Sequence, residues 1–104
     1  MAETDKRLLL LHEDDNVLVL RAAINAGETV MVEGVPVAIG ARIGMGHKLA
    51  RRAIATGEKV LKYGAPIGSA TTAIATGDHV HLQNIKSDYT PTYALDEEGA
   101  ATWS

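Results

Sequence analysis

The chain has 104 residues, a formal charge of −3 at neutral pH and no cysteine. That length supports one domain around one core and leaves no room for a second. The weakly acidic balance, without basic runs, excludes the electrostatic footprint of a nucleic-acid or anionic-membrane binder, and the absence of cysteine excludes disulfides, zinc ribbons and thiol nucleophiles.

In chain order, the first apolar run, residues 8–11, is far too short to cross a bilayer, and the expected setting is soluble and cytoplasmic. The polar stretch His12-Glu13-Asp14-Asp15-Asn16 has carboxylates that suit a hard cation, but also the composition of a turn between strands, which is the reading adopted. Short aliphatic runs then predict strands at Val17-Leu18-Val19-Leu20, Val30-Met31-Val32, Val35-Pro36-Val37-Ala38-Ile39, Val60-Leu61 and Val80-His81-Leu82. Good helix formers from His47 to Ile54, bounded by Gly46 and Gly57, predict one short helix of one or two turns. Gly44-Met45-Gly46 and Gly64-Ala65-Pro66-Ile67-Gly68 predict tight connections. The fold class is mainly β, with a domain over residues 1–86 and a polar, aperiodic tail over 87–104.

One phrase occurs three times: Ala23-Ile24-Asn25-Ala26-Gly27-Glu28-Thr29-Val30, Ala53-Ile54-Ala55-Thr56-Gly57-Glu58-Lys59-Val60 and Ala73-Ile74-Ala75-Thr76-Gly77-Asp78-His79-Val80. Each places a glycine where a turn needs positive φ, then an acidic residue, then a strand whose valine points inward. Only the third runs into histidines, as His79-Val80-His81-Leu82-Gln83-Asn84. A strand over 79–84 would put His79, His81 and Gln83 on one face and Val80 and Leu82 in the core. Two imidazoles so spaced can converge on a metal or an anion, or form the solvated face of an edge strand. Gly44-Met45-Gly46-His47-Lys48 offers a second patch, with backbone N–H groups and a lysine suited to a carboxylate, or else an ordinary glycine turn.

These residues together resemble a known family. His12 with Asp15-Asn16-Val17, Gly46-His47-Lys48-Leu49-Ala50, Gly57-Glu58-Lys59-Val60, Lys62-Tyr63-Gly64-Ala65-Pro66-Ile67-Gly68 and Gly77-Asp78-His79-Val80-His81 with Asn84 are similar to the N-terminal domain of altronate and galactarate dehydratases. That domain is an SAF domain with the β-clip fold, and the resemblance covers roughly residues 8–86. It implies the small subunit of a metal-dependent hydro-lyase, acting on a sugar acid of the altronate or galactarate type beside a large dehydratase-like catalytic subunit. The alternatives are the small subunit of a sulfolactate-type sulfo-lyase and a non-catalytic SAF module that binds carbohydrate or protein.

By position, the resemblance makes His79 and His81 ligands of a divalent metal, iron(II), magnesium or zinc, completed by the partner. It gives His47 and His81 catalytic roles and puts Lys48, Gln83 and Asn84 at the substrate. Gln83 stands where the family motif has a third histidine, so the strand alone offers two imidazoles. An apolar patch including Ile43, Met45 and Tyr63 is expected to face the large subunit.

Overall fold

Every copy of the repeated phrase closes the same turn, and the hydrogen bonds show why its residues recur. In the computed structural model, which describes residues 3–87, Gly27, Gly57 and Gly77 take φ of 91°, 86° and 85°. A Cβ is strained there. The acidic residue that follows folds its carboxylate back onto the N–H three residues earlier: Asn25 donates to Glu28, Ala55 to Glu58 and Ala75 to Asp78, each at 2.9 Å. The isoleucine before each turn and the valine after it are buried.

A fourth copy is present that the sequence pattern conceals. Ile43-Gly44-Met45-Gly46-His47-Lys48-Leu49 has the same buried ends and a Gly46 φ of 88°. All four glycines donate at 2.8 Å to a carbonyl distant in sequence: Gly27 to Ile39, Gly46 to Leu20, Gly57 to Ala70 and Gly77 to Ala50. The turns associate in pairs through reciprocal isoleucine bridges, Ile24 with Ile43 and Ile54 with Ile74.

Between these turns lie nine short strands, and the described residues contain no helix. A four-stranded antiparallel sheet runs in the order β1 (Leu8–Leu9), β2 (Val17–Leu20), β5 (Lys48–Ala50) and β8 (His79–Val80). β3 (Thr29–Val32) and β4 (Val35–Ala38) form one hairpin, and β6 (Lys59–Lys62) and β7 (Ala65–Ala70) form another, edged by β9 (Ile85–Lys86). The mainly β expectation holds.

Three local expectations do not. The short helix is replaced by β5, because Leu49 and Ala50 are needed as buried rungs against β2, and tertiary pairing outweighs helix propensity. Of the connection expected at 64–68, Gly64 closes the β6–β7 hairpin, but residues 65–68 begin β7. The strand expected over 79–84 ends at Val80, since the chain turns at 81–84, and Leu82 is 67% exposed instead of entering the core. The tail expected from residue 87 lies, apart from Ser87, outside the described residues. No described helix is long and apolar enough to cross a membrane.

The sheet register reveals a duplication. β2, β3, β4 and β5 are followed by β5, β6, β7 and β8 in the same relation, displaced by thirty residues. Leu18 pairs with Leu49 as Lys48 pairs with Val80, and Val32 with Val35 as Lys62 with Ala65. A bulge at Ile67 in the second hairpin adds one residue, after which the displacement is thirty-one. Each half has its own core: Leu18, Ile24, Val30 and Val32 belong to the first, and Ile54, Val60, Ile74 and Val80 to the second.

Both hairpins turn through two residues of positive φ, Glu33-Gly34 (47°, 86°) and Tyr63-Gly64 (59°, 75°), the handedness that matches strand twist. Each tip is clamped by a segment from the N-terminal part of the chain. Glu33 donates to the Thr4 hydroxyl and Gly34 to the Glu3 carbonyl. Asp15, only 2% exposed, accepts from Tyr63 and Gly64 at 2.9 and 2.7 Å, while Asn16 accepts from Leu61 and donates to the Lys59 carbonyl. The carboxylates of residues 12–16 are therefore divided between solvent and this clamp, which supports the turn reading over a cation site.

Two glycine substitutions separate strain from packing. A Cβ on Gly27 meets nothing within 4 Å, whereas one on Gly77 would overlap Val37, across the boundary between the halves. Gly27→Ala is expected to cost about 1–2 kcal/mol from backbone strain. Gly77→Ala should cost roughly 1 kcal/mol or more beyond that, from overpacking. Chemical denaturation of both variants measures the difference, and equal losses would contradict the packing between the halves.

Candidate functional site

The β5–β8 ladder decides which histidines meet. Pairing of Leu49 with His79 and Lys48 with Val80 carries His47, one step before β5, to the level of His81, one step beyond β8. His47 Nδ1 lies 3.0 Å from His79 Nε2, and the ring centroids of His47 are 5.0 and 5.4 Å from those of His79 and His81. His79 and His81 stack with an interplanar angle of 3° and centroids 5.5 Å apart. One ring nitrogen from each of the three lies within 4.8 Å of the others.

The third imidazole thus comes from another strand, and Gln83 does not supply it. Gln83 is exposed and donates to the His79 carbonyl at 3.2 Å. Asn84 is buried and spends its carboxamide on the turn, accepting from His81 N–H at 3.0 Å and donating to the His79 carbonyl at 2.9 Å. Its place in the structure is that of a residue that positions the two histidines.

His47 occupies the position that carries Glu28, Glu58 or Asp78 in the other three turns. Its ring is turned to His79, and the Gly44 N–H, equivalent to the capped N–H groups of Asn25, Ala55 and Ala75, receives no side-chain acceptor among the described residues. Forgoing a charge-assisted hydrogen bond costs stability, and the imidazole cluster is what this turn has in its place. The signal was in the sequence, as the glycine-plus-two-residue spacing of the fourth copy, but Gly44 and Met45 disguise it.

Electrostatics favour a neutral His79. Burial, reinforced by His47, His81 and Lys48, pulls the His79 pKa below its ordinary value. Burial also lowers the Lys48 ammonium, and nearby Lys62 adds to that. Strand alternation turns Lys48 away from His47 and into an open groove of about 440 Å³, which it lines with Lys62, Ile67, His81, Leu82 and Ile85. Of the expected apolar patch, Met45 and Tyr63 are 71% and 68% exposed, but Ile43 is buried in the first core and is not available to a partner.

The donor set fits a metal ion. Neutral imidazole nitrogens are good ligands, and at metal–nitrogen bonds of about 2.1 Å adjacent ligands sit roughly 3.4 Å apart, near the 3.0 Å separation of His47 and His79.

Two predictions come from this geometry. His47→Asp restores the acidic cap and is expected to raise the stability of the metal-free protein by about 0.5–1 kcal/mol in chemical denaturation; an unchanged or lower value would contradict the equivalence of the four turns. The second concerns pH. Since the folded-state pKa of His79 lies below the ordinary histidine value of 6.5, the unfolded chain binds the proton more readily, and this contribution to stability falls as pH drops through about 6.5 toward the folded value. With chelator present, His79→Gln should flatten that part of the pH–stability curve.

Comparison with known proteins gives a consistent result. Residues 6–88 match the family described as the altronate/galactarate dehydratase SAF domain. The chain is 34% identical over 96 residues to an altronate dehydratase of Bacillus subtilis, covering 85% of this chain and 19% of that protein. It is 41% identical over 78 residues to an altronate dehydratase of Escherichia coli, covering 75% of this chain and 16% of that one. A (2R)-sulfolactate sulfo-lyase subunit alpha of Chromohalobacter salexigens is 47% identical over 45 residues, 43% of this chain and 48% of that protein. The chain thus spans less than a fifth of the length of either dehydratase.

Proposed function

Since the chain belongs to the altronate/galactarate dehydratase SAF domain family, we propose that it is the small β subunit of a metal-dependent hydro-lyase, working beside a large dehydratase-like subunit on a sugar acid of the altronate or galactarate type. The observation that carries this reading is the cluster of His47, His79 and His81, assembled from two strands and at the expense of a turn cap. The matched regions are 19% and 16% of the dehydratases it resembles, which supports a catalytic body elsewhere. The sulfo-lyase relatives are described as alpha subunits, which supports a separate large chain.

Dehydration of a hydroxy acid removes a proton α to the carboxylate and expels the β-hydroxyl. His47, His79 and His81 would hold a divalent ion, and a set of three imidazoles without a carboxylate suits iron(II) or zinc better than magnesium. Such an ion supplies Lewis-acid assistance to departure of the hydroxyl. His79, kept neutral by its surroundings, is ready to ligate without first losing a proton, and Asn84 holds its turn in place. Lys48 binds the substrate carboxylate from the groove beside His81, and the carbonyl oxygen of Gln83 faces a substrate hydroxyl. The groove is open, so the large subunit must cover it to exclude water and supply the base for the α proton. Met45 and Tyr63 are anchors for that contact.

The same arrangement accommodates elimination of sulfite from sulfolactate, which the local identity to the sulfo-lyase subunits favours as a second reading.

The isolated chain is expected to show no turnover on altronate, galactarate or sulfolactate, and the complex with its large chain should turn over one of them. His47→Ala and His81→Ala should each lower that rate at least tenfold, leave assembly intact on size-exclusion chromatography, and weaken zinc binding in calorimetry at least tenfold. A large chain fully active alone, or variants at the wild-type rate, would make this domain a passive binding module.

A further inference from the structure

The duplication supplies an internal reference for every position of the second half, and it singles out one residue that no motif assigned. Lys48 and Lys62 are the counterparts of Leu18 and Val32, as the paired registers establish. In the first half, Leu18 and Val32 are fully buried and belong to one core. In the second half the same two places carry ammonium groups, and the space is the open groove lined by Lys48, Lys62, Ile67, His81, Leu82 and Ile85. Both lysines are half-buried. Lys62 lies close enough to Lys48 to disfavour the charge of Lys48. Among the described residues neither forms an ion pair, while the arginines at 7, 51 and 52 are each matched to a carboxylate.

Replacing an apolar core pair by two adjacent, unneutralised cations has a cost that an anion in the groove would remove. We propose that Lys62 and Lys48 form a two-lysine subsite that grips a carboxylate group of the ligand, with His81 at the end of the same groove facing the rest of the molecule. Lys62 is therefore a specificity residue for carboxylate ligands. The choice of a carboxylate rests on the reading of the protein as a hydroxy-acid lyase; the anionic character of the subsite does not. The subsite is distinct from the imidazole cluster and uses none of its nitrogens.

The test uses the full chain with tartrate as probe, followed by calorimetry or NMR titration, together with zinc titrations of the same proteins. Tartrate is expected to bind the wild type, to bind less tightly as salt rises, and to bind Lys62→Met at least tenfold more weakly. Lys62→Arg should stay within about threefold of wild type, because it restores the charge. Lys48→Leu/Lys62→Val, which reinstates the residues of the first half, should lose tartrate binding while its melting temperature holds or rises. Zinc affinity should be unchanged in Lys62→Met and Lys62→Arg. Failure of the wild type to bind tartrate, equal binding by Lys62→Met, or equal binding of uncharged threitol would each overturn the subsite. Loss of zinc binding by the wild type, with tartrate binding still dependent on Lys62, would instead count against the lyase reading and leave an anion subsite standing.

Discussion

The structure depends on one small device, a turn in which a glycine at positive φ lets the chain reverse while a following carboxylate caps the N–H three residues back. Each such turn delivers a buried isoleucine on its entering side and a buried aliphatic residue on its exit. Because the residues between are backbone-bonded to distant carbonyls, the turn joins parts of the chain that are far apart in sequence. A chain with strands of two to six residues and no described helix could not otherwise gather enough apolar surface into cores.

Using that device four times, in two paired halves, gives the molecule both its stability and its sites. Repetition makes departures legible. Where the fourth turn carries His47 in place of an acid, it gains an imidazole at the end of a strand and gives up a cap. Where Lys48 and Lys62 stand in place of Leu18 and Val32, the second half opens a groove and gives up core. Both departures fall beside His81. Loss of local stability is thus concentrated at one place, as expected where binding chemistry competes with packing.

The turn after β8 is the other determinant of the site. An extended strand through residue 84 would have sent Leu82 inward and aligned Gln83 with the histidines. The reversal held by Asn84 instead keeps His81 stacked on His79 and leaves Leu82 and Gln83 on the open side. A polar residue whose carboxamide holds the turn is what allows two imidazoles from one segment and a third from its neighbour to converge.

Read alone, the sequence determined the β class, the inward valines at 30, 60 and 80, the glycine turns and the family, and it singled out His47, Lys48, His79 and His81 as candidates. These are carried by local patterns: period-two alternation, residues tolerant of positive φ, and ordered motifs. It did not show that Lys48 to Ala50 form a strand, because three residues with good helix propensity become a strand only when β2 and β8 flank them. Nor did it show that His47 joins the histidine pair, since the 3.0 Å contact spans thirty-two positions and exists only through the register of β5 on β8. The buried clamp of Asp15 and Asn16 has the same origin: a loop composition specifies a turn, but which backbone N–H groups it caps is decided by long-range packing. The repeat itself sets Lys62 against Val32, but that Val32 is a core residue and that Lys62 shares a groove with Lys48 is decided by the tertiary structure, which brings β5 and β6 together there.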